Sequence, residues 1–95
     1  MRLPSKEIAR EFIVRGRVQG VGFRWFVKGA ADELNLKGFV RNEADGRVFV
    51  YAAGPEAKLS QLAGRLHHGP RFADVRGVDE REAVVQQYRA FEIEG

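Results

Sequence analysis

A loop that is rich in glycine and ends in an arginine is the part of this sequence best suited to bind an anion. Residues 14–24 read VRGRVQGVGFR, with glycines at positions 16, 20 and 22. Glycines allow backbone amides to turn inward, and the N-terminus of a following helix adds partial positive charge. Arg24 would add a forked, permanently charged donor that suits phosphate or carboxylate. These residues predict binding of a small molecule that carries a phosphate.

The position of Arg24 at a predicted helix start strengthens this interpretation. A cation in the first turn opposes the helix dipole by about 0.3–1 kcal/mol, and a bound dianion would reverse that cost. The loop lacks the Lys-Ser/Thr ending of a P-loop, and its glycine spacing does not fit the dinucleotide fingerprint. A glycine turn with a purely structural role stays open on spacing alone.

Asn42 is the second candidate for chemistry, because it ends a predicted strand just before a turn. Its carboxamide has both a donor and an acceptor, so it could orient a water molecule. Asparagine beside a turn is also a common turn or cap residue. From the residue type and position alone, both interpretations remain open.

Alternating and helical apolar patterns predict the elements that must position these residues. In the first strand, Phe12 and Val14 share one face and Ala9 and Ile13 share the other. Asp45-Gly46 predicts a hairpin turn between the second and third strands. The predicted elements are a strand at 8–18, a helix at 24–36, strands at 38–42 and 47–52, a helix from Gly54-Pro55 to His67-His68, and strands at 72–78 and 88–93.

This order of elements predicts an α+β ferredoxin-like sandwich with βαββαβ topology, formed by one domain that spans residues 1–95. Right-handed crossovers would place both helices on one face of an antiparallel sheet, with the first and third strands in its middle. The segment at 88–93 would then be an additional strand at the C-terminus. The fold by itself does not specify a function, because many functions use it.

Composition narrows the classes of function. The chain has 95 residues, no cysteine and a net charge of +3. Thiolate chemistry is therefore excluded, and the adjacent His67 and His68 cannot build a zinc site alone. The small positive charge does not by itself indicate nucleic acid. No apolar run reaches membrane-spanning length, and the N-terminus does not resemble a signal peptide, so we expect a cytoplasmic protein without a membrane partner. We also expect a monomer.

Two stretches of the chain resemble the acylphosphatase family at every fixed position of its patterns. One is VxGxVQGVxFR at 14–24, and the other is GFVRNxxxGxV at 38–48, followed after five residues by Gly54. The similarity in layout runs from about Ile8 to Ile93. Members of this family have a ferredoxin-like sandwich, in agreement with the pattern of predicted elements.

The resemblance implies hydrolysis of acyl phosphates to a carboxylate and inorganic phosphate, with no metal or organic cofactor. By motif, Arg24 and Asn42 would be the catalytic residues, with Asn42 orienting the attacking water. Inorganic phosphate or sulfate is therefore expected to bind at the same place. The phosphate would be bound by the loop residues Gln19, Gly20, Val21, Gly22, Phe23 and Arg24.

Two other functions stay open at this point. RNA-recognition domains share the topology, and Lys37-Gly38-Phe39 begins like their octapeptide, but Val40 and Arg41 break the match. We therefore expect no nucleic-acid partner. A domain that binds a phosphorylated metabolite without hydrolysing it would share the predicted anion site. Only a turnover measurement distinguishes that function from hydrolysis.

Overall fold

The computed structural model describes residues 6–95, within which the chain forms five strands and two helices. The sheet has the order β4-β1-β3-β2-β5. The elements in chain order are β1 Glu7–Arg17, α1 Phe23–Glu33, β2 Lys37–Asn42, β3 Val48–Pro55, α2 Glu56–His68, β4 Asp74–Ala83 and β5 Phe91–Glu94.

Both helices pack against one face of this sheet. Phe12 and Val14 of β1 lie in the same buried cluster as Val27 of α1 and Leu62 of α2. Ala9 and Ile13, the alternate residues of β1, belong to a second cluster on the opposite face. The alternation in the first strand therefore predicted its two faces correctly, and the ferredoxin-like sandwich is confirmed, with β1 and β3 inside the sheet.

The sheet differs from the predicted antiparallel one at its C-terminal edge. The pairs β1–β3, β1–β4 and β2–β3 are antiparallel, whereas β5 runs parallel to β2, with Gly38 opposite Phe91. The predicted additional strand therefore exists and makes the sheet mixed. It places the C-terminal residues beside the strand that ends in Asn42.

Several boundaries also differ from the prediction. Helix α1 ends at Glu33 rather than near residue 36, because Asn35 adopts a left-handed conformation with φ of 58°. Strand β3 continues through Pro55, which pairs with Glu7, so α2 begins only at Glu56. Strand β4 reaches Ala83 although residues 79–82 are all charged, because one of its edges is open to solvent.

Neither helix in residues 6–95 combines the length and the apolar character that crossing a membrane requires.

Candidate active site

The loop between β1 and α1 has the left-handed backbone that its glycines permit. Gly20 and Gly22 have φ angles of 74° and 78°. Residues with a Cβ rarely adopt these angles, because the Cβ approaches the following carbonyl. Gly22 is also the N-cap residue of α1, so the turn directs the loop into the helix start.

The start of α1 has backbone amides without hydrogen-bond partners among residues 6–95. The first bond of the helix runs from Phe26 N to Gly22 O at 3.0 Å. Within residues 6–95, the amides of residues 20–25 donate to no backbone carbonyl. No side chain caps the helix, and its first turn contains no acidic residue. Unpaired N–H groups and the helix dipole together favour an anion at this place.

A small hollow joins this helix start to the end of β2. Its volume is about 180 Å³. Arg24 and Asn42, which are 18 positions apart in the sequence, both line it. The structure therefore brings the two predicted catalytic residues together. The lining residues are Val18, Gly20, Gly22, Phe23, Arg24, Trp25 and Asn42.

The guanidinium of Arg24 makes one contact with the main chain near the C-terminus. Its Nη1 donates a hydrogen bond to the carbonyl oxygen of Glu94 at 3.2 Å. None of the ion pairs between residues 6–95 includes Arg24. A guanidinium has five N–H donors, so most of them remain available to a bound anion.

Asn42 is not used to close the turn that follows it. That turn is closed by a bond from Glu43 N to Arg47 O at 2.8 Å and by Asp45 Oδ1, which accepts from Arg47 N at 3.2 Å. In the part of the chain that the structure describes, no hydrogen bond involves the Asn42 carboxamide. The turn role is thus taken by Asp45, and the carboxamide is left for another partner.

Two of the other predicted phosphate-binding residues use their side chains for contacts inside the protein. Gln19 donates from Nε2 to Glu43 O at 2.8 Å and to Arg47 O at 3.0 Å. The ring of Phe23 is buried in the core with 2% exposure. Any contact of these two residues with phosphate would therefore come from their backbone amides. Residue type and spacing gave no signal for the bridge made by Gln19.

Trp25 lies at the rim of the hollow with 72% of its surface exposed. It is the only tryptophan of the chain. The adjacent histidines and the acidic residues of β4 lie outside the hollow. His67 and His68 are exposed in the last turn of α2, and Asp79 of β4 pairs with Arg15 of β1. Residues 6–95 contain no group of three histidines or carboxylates that could hold a metal ion.

Comparison with known proteins decides the family. The acylphosphatase family model matches residues 10–93. The chain belongs to the acylphosphatase family. An acylphosphatase of Solibacter usitatus is 58% identical over 89 residues, which cover 94% of this chain and 93% of that protein. The function of this family is hydrolysis of acyl phosphates, so the chain is a hydrolase of that class.

Solved structures show the same acylphosphatase fold. The structure of an acylphosphatase from Coxiella burnetii has a TM-score of 0.90 and 38% identity, with 93% of each chain covered. Full-length HypF in its phosphate- and nucleotide-bound form matches 99% of this chain with a TM-score of 0.91 and 34% identity. The match covers only 12% of the HypF chain. The acylphosphatase fold therefore also occurs as a part of a larger protein.

Proposed function

We propose that the loop amides and Arg24 bind the phosphate of an acyl phosphate and that Asn42 orients the water that attacks it. The observation that carries this proposal is the shared hollow. The loop glycines, Arg24 and Asn42 all line one space of about 180 Å³, and the first amides of α1 beside it have no backbone partner within residues 6–95. Inorganic phosphate, a product of the reaction, would bind at the same place.

The chemistry needs little beyond these groups. Water adds to phosphorus, the bond between phosphorus and the acyl oxygen breaks, and the carboxylate leaves. The two protons of the water remain on the phosphate product, which then equilibrates with solvent. The conjugate acid of the leaving carboxylate has a pKa of about 4, so the leaving group needs no protonation. Phosphoryl transfer of this kind depends on positioning and on charge stabilisation, and no metal ion is required in the proposal.

The same reasoning predicts selectivity against phosphate monoesters. A monoester must expel an alkoxide or, from phenyl phosphate, a phenoxide; both are far more basic than a carboxylate and need a general acid. The residues that line the hollow include no carboxyl group and no histidine. The size of the hollow also favours a small acyl group, because sites for drug-sized ligands usually measure about 300–1,000 Å³.

The experiment is a turnover assay of the purified protein in the presence of a metal chelator. We expect hydrolysis of benzoyl phosphate and acetyl phosphate and no measurable hydrolysis of phenyl phosphate. Asn42→Ala should lower kcat by about 10²-fold, because the water loses its orientation. The affinity for inorganic phosphate should change little, since Arg24 and the amides remain.

The matched control is Asn35→Gly, which changes an exposed asparagine outside the hollow and keeps its left-handed backbone favourable. Its turnover should equal that of the unmodified protein. Phosphate binding without turnover would instead support a domain that only senses a phosphorylated metabolite. Unchanged turnover in Asn42→Ala would contradict the role proposed for Asn42.

A further inference from the structure

We propose that Gln19 is a positioning residue, which holds the turn after β2 against the phosphate loop and thereby places Asn42. This inference rests on the proposed function. The side-chain amide of Gln19 spans from the loop to both ends of the turn. It donates to Glu43 O at 2.8 Å and to Arg47 O at 3.0 Å.

The two bonds hold the backbone of the turn that directly follows Asn42. Glu43 directly follows Asn42, and its amide closes the turn by donating to Arg47 O at 2.8 Å. Arg47 O thus accepts from both Glu43 and Gln19. Within residues 6–95 the Asn42 carboxamide has no hydrogen bond of its own. The backbone around Glu43 therefore sets where that carboxamide lies relative to the loop.

The connection needs a side chain of this length with two N–H donors. Glutamine supplies both donors from one nitrogen. Glutamate would present oxygen atoms to two carbonyl oxygens, and methionine would fill the space without donating. Both bonds are partly buried, and without them Glu43 O and Arg47 O keep only bonds inside the turn, from Gly46 N at 3.1 Å and Glu43 N at 2.8 Å. The turn can then move away from the loop while the loop itself stays intact.

A displacement of this kind should affect turnover more than phosphate binding. A misplacement of about 1 Å can lower a rate by about 10²-fold. We expect Gln19→Met to lower kcat by about 10- to 100-fold, because the water is no longer aimed correctly. Phosphate binding should change by less than about threefold, since the loop amides and Arg24 are retained.

The test combines steady-state kinetics with a direct binding measurement. Benzoyl phosphate gives kcat and KM, and inorganic phosphate is titrated with the fluorescence of Trp25, the only tryptophan and part of the rim of the hollow. The double variant Gln19→Met/Asn42→Ala should have the same kcat as Asn42→Ala alone. Gln61→Met, an exposed glutamine on α2, is the control and should leave all three quantities unchanged.

Two results would overturn the inference. One is a loss in the double variant that equals the product of the two single losses, since Gln19 would then act independently of Asn42. The other is a large fall in phosphate affinity, which would make the Gln19 side chain a direct ligand. If Gln19→Met does not fold, Gln19→Asn replaces it in the same measurements. Its side chain retains the amide but is one methylene too short to reach the turn. Absence of turnover in the unmodified protein would contradict the proposed function itself.

Discussion

The two helices pack on the same face of the sheet, but their N-termini are built differently. Neither helix has a side-chain cap, but α1 follows a glycine-rich loop and has no acidic residue in its first turn. Helix α2 follows β3 directly, with Pro55 in extended conformation at its N-cap and Glu56 in its first turn. The two helix starts therefore differ in charge, because only α2 has a carboxylate of its own in the first turn.

Each helix start also has one arginine, and the two arginines have different partners. Near α2, Arg10 Nη2 lies 3.5 Å from Glu56 Oε1. Near α1, Arg24 contacts the Glu94 carbonyl and no carboxylate of residues 6–95. At α2 the arginine pairs with a carboxylate of the same chain, which indicates a structural role for that helix start. A helix start that leaves both its amides and its arginine unmatched is suited to an external anion.

The largest expected difference between the two regions comes from removing the arginines. Arg24→Ala should lower kcat/KM for benzoyl phosphate by about 10³-fold, since a charged donor to the transferred phosphoryl group is lost. It should also abolish the fluorescence response of Trp25 to phosphate. Arg10→Ala should leave kcat/KM of the folded protein unchanged within about twofold, because Arg10 does not line the hollow.

Equal effects of Arg24→Ala and Arg10→Ala on turnover would contradict the different roles given to the two helix starts. A loss in Arg24→Ala that Arg24→Lys fully restores would show that a positive charge is sufficient. In that case the forked geometry of the guanidinium would contribute nothing to phosphate binding.

The difference between the two helix starts was predictable from the sequence in part. Glycines at 20 and 22 and the arginine at 24 predicted an anion site at α1, and the family motif predicted that Asn42 would join it. The apolar alternation of β1 and the helical stripes gave the fold. These features depend on residues that are close in the sequence or that belong to a known motif, so the sequence alone predicts them.

Other features depend on contacts between distant segments, which no local pattern reports. The bridge from Gln19 to Glu43 and Arg47 joins residues 24 and 28 positions apart. The pairing of Pro55 with Glu7 extends β3 beyond its predicted end, because β1 offers a partner there. Glu56 and Arg10 meet only because β1 and β3 are neighbours in the sheet.

The glycines that precede the two helices should respond differently to substitution by alanine. A Cβ on Gly22 meets no atom within 4 Å, but the φ of 78° disfavours it by about 1–2 kcal/mol. Gly22→Ala should therefore distort the loop and lower kcat/KM by about tenfold. Gly54 has no such angle, but a Cβ there would overlap Leu36 Cδ2 in the core. Gly54→Ala should destabilise the fold by about 1–3 kcal/mol and leave the turnover of folded molecules unchanged.

Urea unfolding and kinetics on the same preparations separate these two effects. Gly29→Ala is the control for Gly22→Ala, because Gly29 lies inside α1 with open space around its Cβ position. It should stabilise the protein by about 0.5–1 kcal/mol, as expected for alanine in a helix. If Gly22→Ala stabilised the protein and kept full turnover, the loop would not need its left-handed backbone.

The smallest effect is expected from removing the carboxylate of α2. Glu56→Gln should cost about 0.2–1 kcal/mol in free energy of unfolding, because the side chain of Glu56 is 73% exposed and its pair with Arg10 is screened by water. The difference from the unmodified protein should shrink in about 1 M salt.

Even with Arg10 unpaired, this helix start should not gain a phosphate site. Pro55 has no N–H, and the strand that ends in Pro55 is already paired with β1. A phosphate titration of Glu56→Gln should therefore still give one site per chain, and a second site would show that the carboxylate alone distinguishes the two helix starts.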